Sequence, residues 1–135
     1  MNSNLPLEIL SAEAWRFMES NKDAVLVDVR TEMEWVNIGI ADLRTLNRDV
    51  IKISWRLPPF MEVNAKFLEE LNKIVPDTTV PLLFLCKAGG RSREAGTFAK
   101  QNGYTECYNI SNGFEGGYEI NQEGWKAANL PWGRF

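Results

Sequence analysis

No histidine occurs anywhere in the 135-residue chain. That absence removes Ser-His-Asp and Cys-His catalysis, and most zinc catalysis, in one step. Cysteine is scarce as well, with only Cys86 and Cys107 present. One pair does not make the disulfide framework of a small secreted domain, so free thiols are expected for both. There is no run of 18 or more apolar residues, and no basic amino-terminal region followed by an apolar one. A cytoplasmic chain without a membrane partner is therefore expected. Basic residues are not in excess either: 15 Lys and Arg against 18 Asp and Glu leave a net charge of −3. A general nucleic-acid binder is disfavoured, and any cationic site has to be local.

What is present suits a globular protein. The chain is 44% hydrophobic and 24% charged, and its length fits a single domain over residues 1–135 that buries roughly two thirds of its extended surface. Leu7 to Leu10 reads as a short strand, followed by a helix with Ser11 as N-cap and Ala14, Trp15 and Met18 on one face. Ala24 to Val29 is nearly all apolar, as an interior parallel strand should be. Thr31 caps a short helix through Trp35, residues 37–49 read as loop, and Val50 to Ile53 as strand. Pro58-Pro59 interrupts regular structure. Asn64 is the expected N-cap of a helix to about Ile74, with Phe67, Leu68, Leu71, Ile74 and Val75 on its packed face. A second apolar strand ends at Cys86, a helix runs from Ser92 to Asn102 with Gly103 closing it, and Glu106 to Ile110 forms the last strand. A terminal helical turn is expected around Trp125 to Ala128. Strands alternating with helices predict an α/β fold, its mainly parallel sheet covered by helices on both faces, with ligands beyond the carboxyl ends of the strands.

Cys86 occupies such an end. Five of the six residues before it are apolar, and Lys87-Ala88-Gly89-Gly90-Arg91-Ser92 lead from it into a helix. A turn so rich in glycine lets several backbone N–H groups face one point, close to the positive end of a helix dipole, and such a setting favours thiolate over thiol. Four residues separate Cys86 from Arg91. Cysteine phosphatases use a loop one residue longer to embrace a tetrahedral phosphoryl group, so the shorter loop suits a terminal sulfur atom better. A buried, inert cysteine at a strand end is the plainer alternative.

Three ordered motifs carry a resemblance: Leu26-Val27-Asp28-Val29-Arg30 with Glu34-Trp35, then Cys86 to Ser92, then Tyr108 to Phe114 with the closing Gly124 to Pro131. Together they resemble the single-domain rhodaneses, a sulfurtransferase family, over residues 5 to 133. The resemblance implies a five-stranded parallel sheet, a Cys86 that cycles between thiolate and persulfide, and no metal or organic cofactor. It also implies a small sulfur-donor anion such as thiosulfate, and an acceptor such as cyanide, a thiol or a protein cysteine. Where that family has Gly-His-Ile, this chain has Gly39-Ile40-Ala41-Asp42 and lacks the histidine. The rival readings are a binding or sensing module that retains the fold, and a cysteine phosphatase or arsenate reductase.

The remaining site expectations are narrower. Lys87 and Arg91 are candidates to bind an anionic donor, with a scaffold ion pair as the alternative for Arg91. Asp28 and Arg30 are read as a buried brace, with Glu34, four residues on, as the partner of Arg30. Trp35, Trp55 and Phe60 are candidate pocket walls, and core packing is the alternative for each. Cys107 acts as a resolving thiol only within disulfide reach of Cys86, and Trp125 and Trp132 are expected to anchor the carboxyl-terminal tail.

Overall fold

The computed structural model describes residues 4–119 and 121–135. Five strands, β1 (Leu7–Ile9), β2 (Val25–Asp28), β4 (Ile51–Lys52), β7 (Leu82–Leu85) and β8 (Cys107–Ile110), form one parallel sheet in the order β1-β8-β7-β2-β4. The most apolar run in the sequence takes the central place: all four residues of β7 are buried, as its neighbours on both edges and both faces require. Its side chains alternate between two cores. Leu82, Phe84 and Cys86 face one cluster with Phe67, Leu71, Ala95 and Ala99, whereas Leu83 and Leu85 face another with Ala14, Met18, Phe114 and Trp125. The helices α3 (Phe67–Ile74) and α4 (Gly90–Gln101) thus cover one face, and α1 (Ser11–Ser20) the other. The short helix α2 (Glu32–Ile38) has no buried residue, and only Ile38 at its carboxyl end packs on the second core.

Helix boundaries follow local chemistry, with corrections. Thr31 caps α2 as expected: its hydroxyl accepts from the Glu34 N–H at 3.4 Å, and Glu34 Oε1 accepts from the Thr31 N–H at 3.2 Å, a reciprocal capping box. The helix runs three residues beyond Trp35. Ser11 is not a cap. It is the first helical residue, and its N–H donates to Asn112 Oδ1 at 2.9 Å, tying the start of α1 to the turn after β8. Asn64 lies three residues before α3 and makes a local turn, its Oδ1 accepting from the Lys66 N–H. Ile74 is half exposed, because the packed stripe of α3 passes through Phe67 and Leu71 and ends at Val75. The end of α4 is as expected. Gly103 has φ +106°, and the N–H groups of Gly103 and Tyr104 return to the carbonyls of Lys100 and Ala99.

Two further pairings were not expected. In the segment read as loop, β3 (Ile40–Ala41) pairs antiparallel with β9 (Trp132–Gly133), and a 3-10 turn follows at Arg44–Leu46. Strands of two residues leave no periodicity to read. A hairpin of β5 (Arg56–Leu57) and β6 (Glu62–Val63) projects after β4. The expected terminal turn is present at 125–129, where the Ala128 N–H returns to Gly124 O at 3.0 Å. Trp125 is fully buried and donates from its indole to Pro131 O, while Trp132 lies edge-on to Phe114 and under Lys126 Nζ at 3.9 Å. Both tryptophans hold the tail to the body.

Candidate active site

The central strand delivers Cys86 to the carboxyl edge of the sheet, where the chain must turn at once into α4. Gly89, the residue before that helix, has φ +101°, and a Cβ there would collide with the carbonyl oxygen of Ser111. Glycine is the residue that fits. This tight turn aims the N–H groups of Gly89 and Ser92 at Cys86 Sγ, at 3.2 and 3.3 Å. The first turn of the 12-residue α4 adds the positive end of its dipole. The Ser92 hydroxyl lies 3.1 Å from the same sulfur. Behind the loop, the N–H groups of Phe114 and Glu115 donate to the carbonyls of Cys86 and Lys87, and a Cβ on Gly113 would strike Lys87 O. The two turns interlock, and Cys86 is only 1% exposed.

Charge around this loop differs from expectation in one respect. Arg30 does pair with buried Asp28, Nη2 to Oδ2 at 2.7 Å, and also donates to Gly39 O while its guanidinium lies 4.3 Å from the centre of the Phe114 ring. Glu34, however, is not its partner. Glu34 grips Arg91 through two bonds of 2.8 and 2.9 Å. The spacing of four does not apply, because Arg30 precedes the Thr31 cap of α2 and is claimed by the buried Asp28, leaving Glu34 free to reach across to α4. Arg91 is thereby committed to the scaffold, while Lys87 is exposed and forms no salt bridge among the described residues.

The Glu34 carboxyl feels opposing influences. Burial raises its pKa, but the hydrogen bond and charge of Arg91, with the Thr31 bonds, outweigh it and hold the value at about 2, below its ordinary 4.5. A carboxylate lowered in the folded state stabilises the fold above its unfolded value, and the contribution is lost as pH falls through the folded one. Stability is expected to drop between about pH 4.5 and pH 2, with a shallower drop in Arg91→Ala. At neutral pH that variant should be about 1–2 kcal/mol less stable than the parent by urea unfolding.

The aromatic candidates divide. Trp55 is buried in the core against Phe67 and Phe98, donates to Glu94 Oε1 at 2.8 Å, and shows one edge to a shallow groove shared with Gly90 and Arg93. Trp35 lines a different groove with Met33, Ser54 and Leu57, and Phe60 projects from the β5–β6 hairpin with 80% of its surface exposed. Cys107 is buried, and desolvation pushes its thiol up to about 12, so it is unreactive at neutral pH. Ala88 and Gly90 complete the loop between Cys86 and Arg91. Asn109 is the residue that sequence reasoning missed. It lies in β8, where its side chain accepts from Ser92 and donates to Gly89 O. An amide among the apolar residues of a buried strand was the available signal.

Among the described residues no group of three or more potential ligands is placed to hold a metal ion, and no helix is long and apolar enough to cross a membrane.

Comparison with known proteins places this geometry in a family. The family model described as the STR4 middle domain matches residues 8–134. An uncharacterized protein from Rickettsia conorii is 43% identical over 125 residues, covering 92% of this chain and 94% of that protein. The thiosulfate sulfurtransferase GlpE from Glaesserella parasuis is 29% identical, covering 92% and 90%. Among solved structures, Rv0390 from M. tuberculosis superposes with a TM-score of 0.82 at 36% identity, over 95% of this chain and 97% of that one. The chain belongs to the STR4 middle domain family and has the rhodanese-like α/β fold.

Proposed function

We propose that this protein is a sulfurtransferase that carries sulfur as a persulfide on Cys86. The observation behind this reading is the convergence of the Gly89 and Ser92 amides, at 3.2 and 3.3 Å, on a sulfur at the mouth of a helix dipole. In the first step the Cys86 thiolate attacks the outer sulfur of a donor such as thiosulfate. One S–S bond forms, the donor's S–S bond breaks, and sulfite departs with the bonding pair. In the second step a nucleophile such as cyanide, a thiol or a protein cysteine takes the outer sulfur and regenerates the thiolate. Both steps move one negative charge across the same few ångströms, so fixed amide dipoles can stabilise it throughout without proton transfer. The lack of histidine is no obstacle.

Donor attraction falls to Lys87, since Arg91 is neutralised by Glu34. Lys87→Ala is expected to raise KM for thiosulfate about threefold to tenfold with little change in kcat, and added salt should shrink the difference. The reading itself is tested by incubating the protein with thiosulfate and cyanide. Thiocyanate should form in proportion to enzyme, and a phosphatase substrate should remain intact; hydrolysis of the second without formation of the first would contradict it.

A further inference from the structure

The Ser92 hydroxyl has a single proton and two neighbours able to take it: Cys86 Sγ at 3.1 Å and Asn109 Oδ1 at 2.5 Å. Which neighbour receives it depends on how the Asn109 amide is turned. Its Nδ2 donates to Glu8 Oε1 at 2.8 Å and to Gly89 O at 3.1 Å. A flipped amide would set its oxygen against a carboxylate and a carbonyl, and its NH2 against Ser92, so the orientation is fixed by two acceptors. Asn109 Oδ1 can only accept, the hydroxyl must point to it, and Ser92 therefore turns a lone pair toward Cys86.

We propose that Asn109 is a positioning residue for Cys86, holding the Ser92 hydroxyl as an acceptor so that it offers the sulfur a lone pair and leaves stabilisation of the thiolate to the Gly89 and Ser92 amides alone. The thiol donates S–H to Ser92. The thiolate meets that lone pair head-on, or draws the hydroxyl round and leaves a buried amide oxygen without a donor. In the persulfide the negative charge sits on the outer sulfur, so the lone pair opposes little. Relative to a donating hydroxyl, the Ser92–Asn109 pair thus raises the energy of the free thiolate between the protonated and loaded states.

This inference rests on Cys86 being the reactive group, but its test needs no sulfur transfer. Other charges near the sulfur stay constant in the comparison. Arg91 of α4 is held by its two bonds to Glu34 of α2. Asp28 is locked to Arg30, Lys87 stays exposed on the loop, and Glu8 of β1 lies beyond Asn109 with Arg93 at 3.8 Å.

The experiment is a pH profile of iodoacetamide alkylation in a double-mutant cycle of Asn109→Leu and Ser92→Ala. Cys107, pushed up to about 12, stays silent over the range used. Freed from its lock, the hydroxyl in Asn109→Leu can donate to the thiolate, so the midpoint should move down by about one pH unit, a tenfold gain in thiolate. In the Ser92→Ala background the same substitution should shift nothing. An unshifted midpoint in Asn109→Leu, or an equal shift in both backgrounds, would overturn the proposal, the latter by locating the effect in the Gly89 loop. Infrared spectroscopy of the unmodified protein at low pH gives a second reading that does not depend on Asn109→Leu folding. The hydrogen-bonded S–H stretch should move to higher frequency in Ser92→Ala, and an unchanged band would equally overturn it.

Discussion

Cys86→Ser is expected to abolish sulfur transfer, with kcat/KM for thiosulfate reduced roughly 10⁴-fold or more, while the fold and its melting temperature remain close to those of the parent. The loss follows from chemistry more than from geometry. A serine hydroxyl would occupy the same place between the Gly89 and Ser92 amides, and it would fit a site evolved around a group of similar size. Oxygen, however, is scarcely ionised at neutral pH and does not form the sulfur–sulfur bond in which the transferred atom is held. Thiocyanate formation and thermal unfolding, measured side by side, check both halves of this expectation. Cys107 is present in the variant and is no substitute, since burial keeps its thiol protonated.

Gly89→Ala is expected to be nearly as damaging by a different route. The residue carries φ +101°, which a side chain opposes, and the added Cβ meets the Ser111 carbonyl, part of the turn that interlocks with the cysteine loop. The strain alone should cost about 1–3 kcal/mol of stability, seen as a lower urea midpoint. Relieving it requires the peptide to rotate, and the Gly89 N–H is one of the two amides that face the sulfur. Loss of one fixed donor at a developing charge typically costs about 10²- to 10³-fold in kcat. Gly103→Ala provides the control. It has φ +106° but open space around its missing Cβ, at the far end of α4. It should lose stability while kcat is retained.

Several parts of this arrangement can be read from the sequence because they depend on local rules. A run of apolar residues between Val80 and Leu85 has to be an interior strand, and two glycines before a helix have to make a tight turn, so Cys86 falls at the sheet edge without further information. The Thr31–Glu34 capping box is equally local. Partners chosen by tertiary packing are another matter. Sequence spacing assigns Glu34 to Arg30, four residues away, yet the folded chain places it against Arg91, 57 residues away, because burial of Asp28 has already determined where Arg30 goes. Asn109 is hidden for the same reason. Its two acceptors, Glu8 and Gly89, come from β1 and from the turn before α4, and only the neighbouring placement of β1, β8 and β7 unites them. The pairing of β3 with β9 joins residues more than 90 positions apart through strands too short to show alternation. The prominent arginine of the loop is paired with Glu34 in consequence, whereas the inconspicuous Lys87 forms no salt bridge among the described residues.

The central claim is that sulfur resides covalently on Cys86 between the two half-reactions. Intact-protein mass spectrometry after treatment with thiosulfate alone, followed by peptide mapping, tests it most directly. The account predicts a gain of one sulfur atom on the peptide containing Cys86, reversed on addition of cyanide and absent from Cys86→Ser. An unmodified Cys86 in protein that still converts thiosulfate and cyanide to thiocyanate would contradict it.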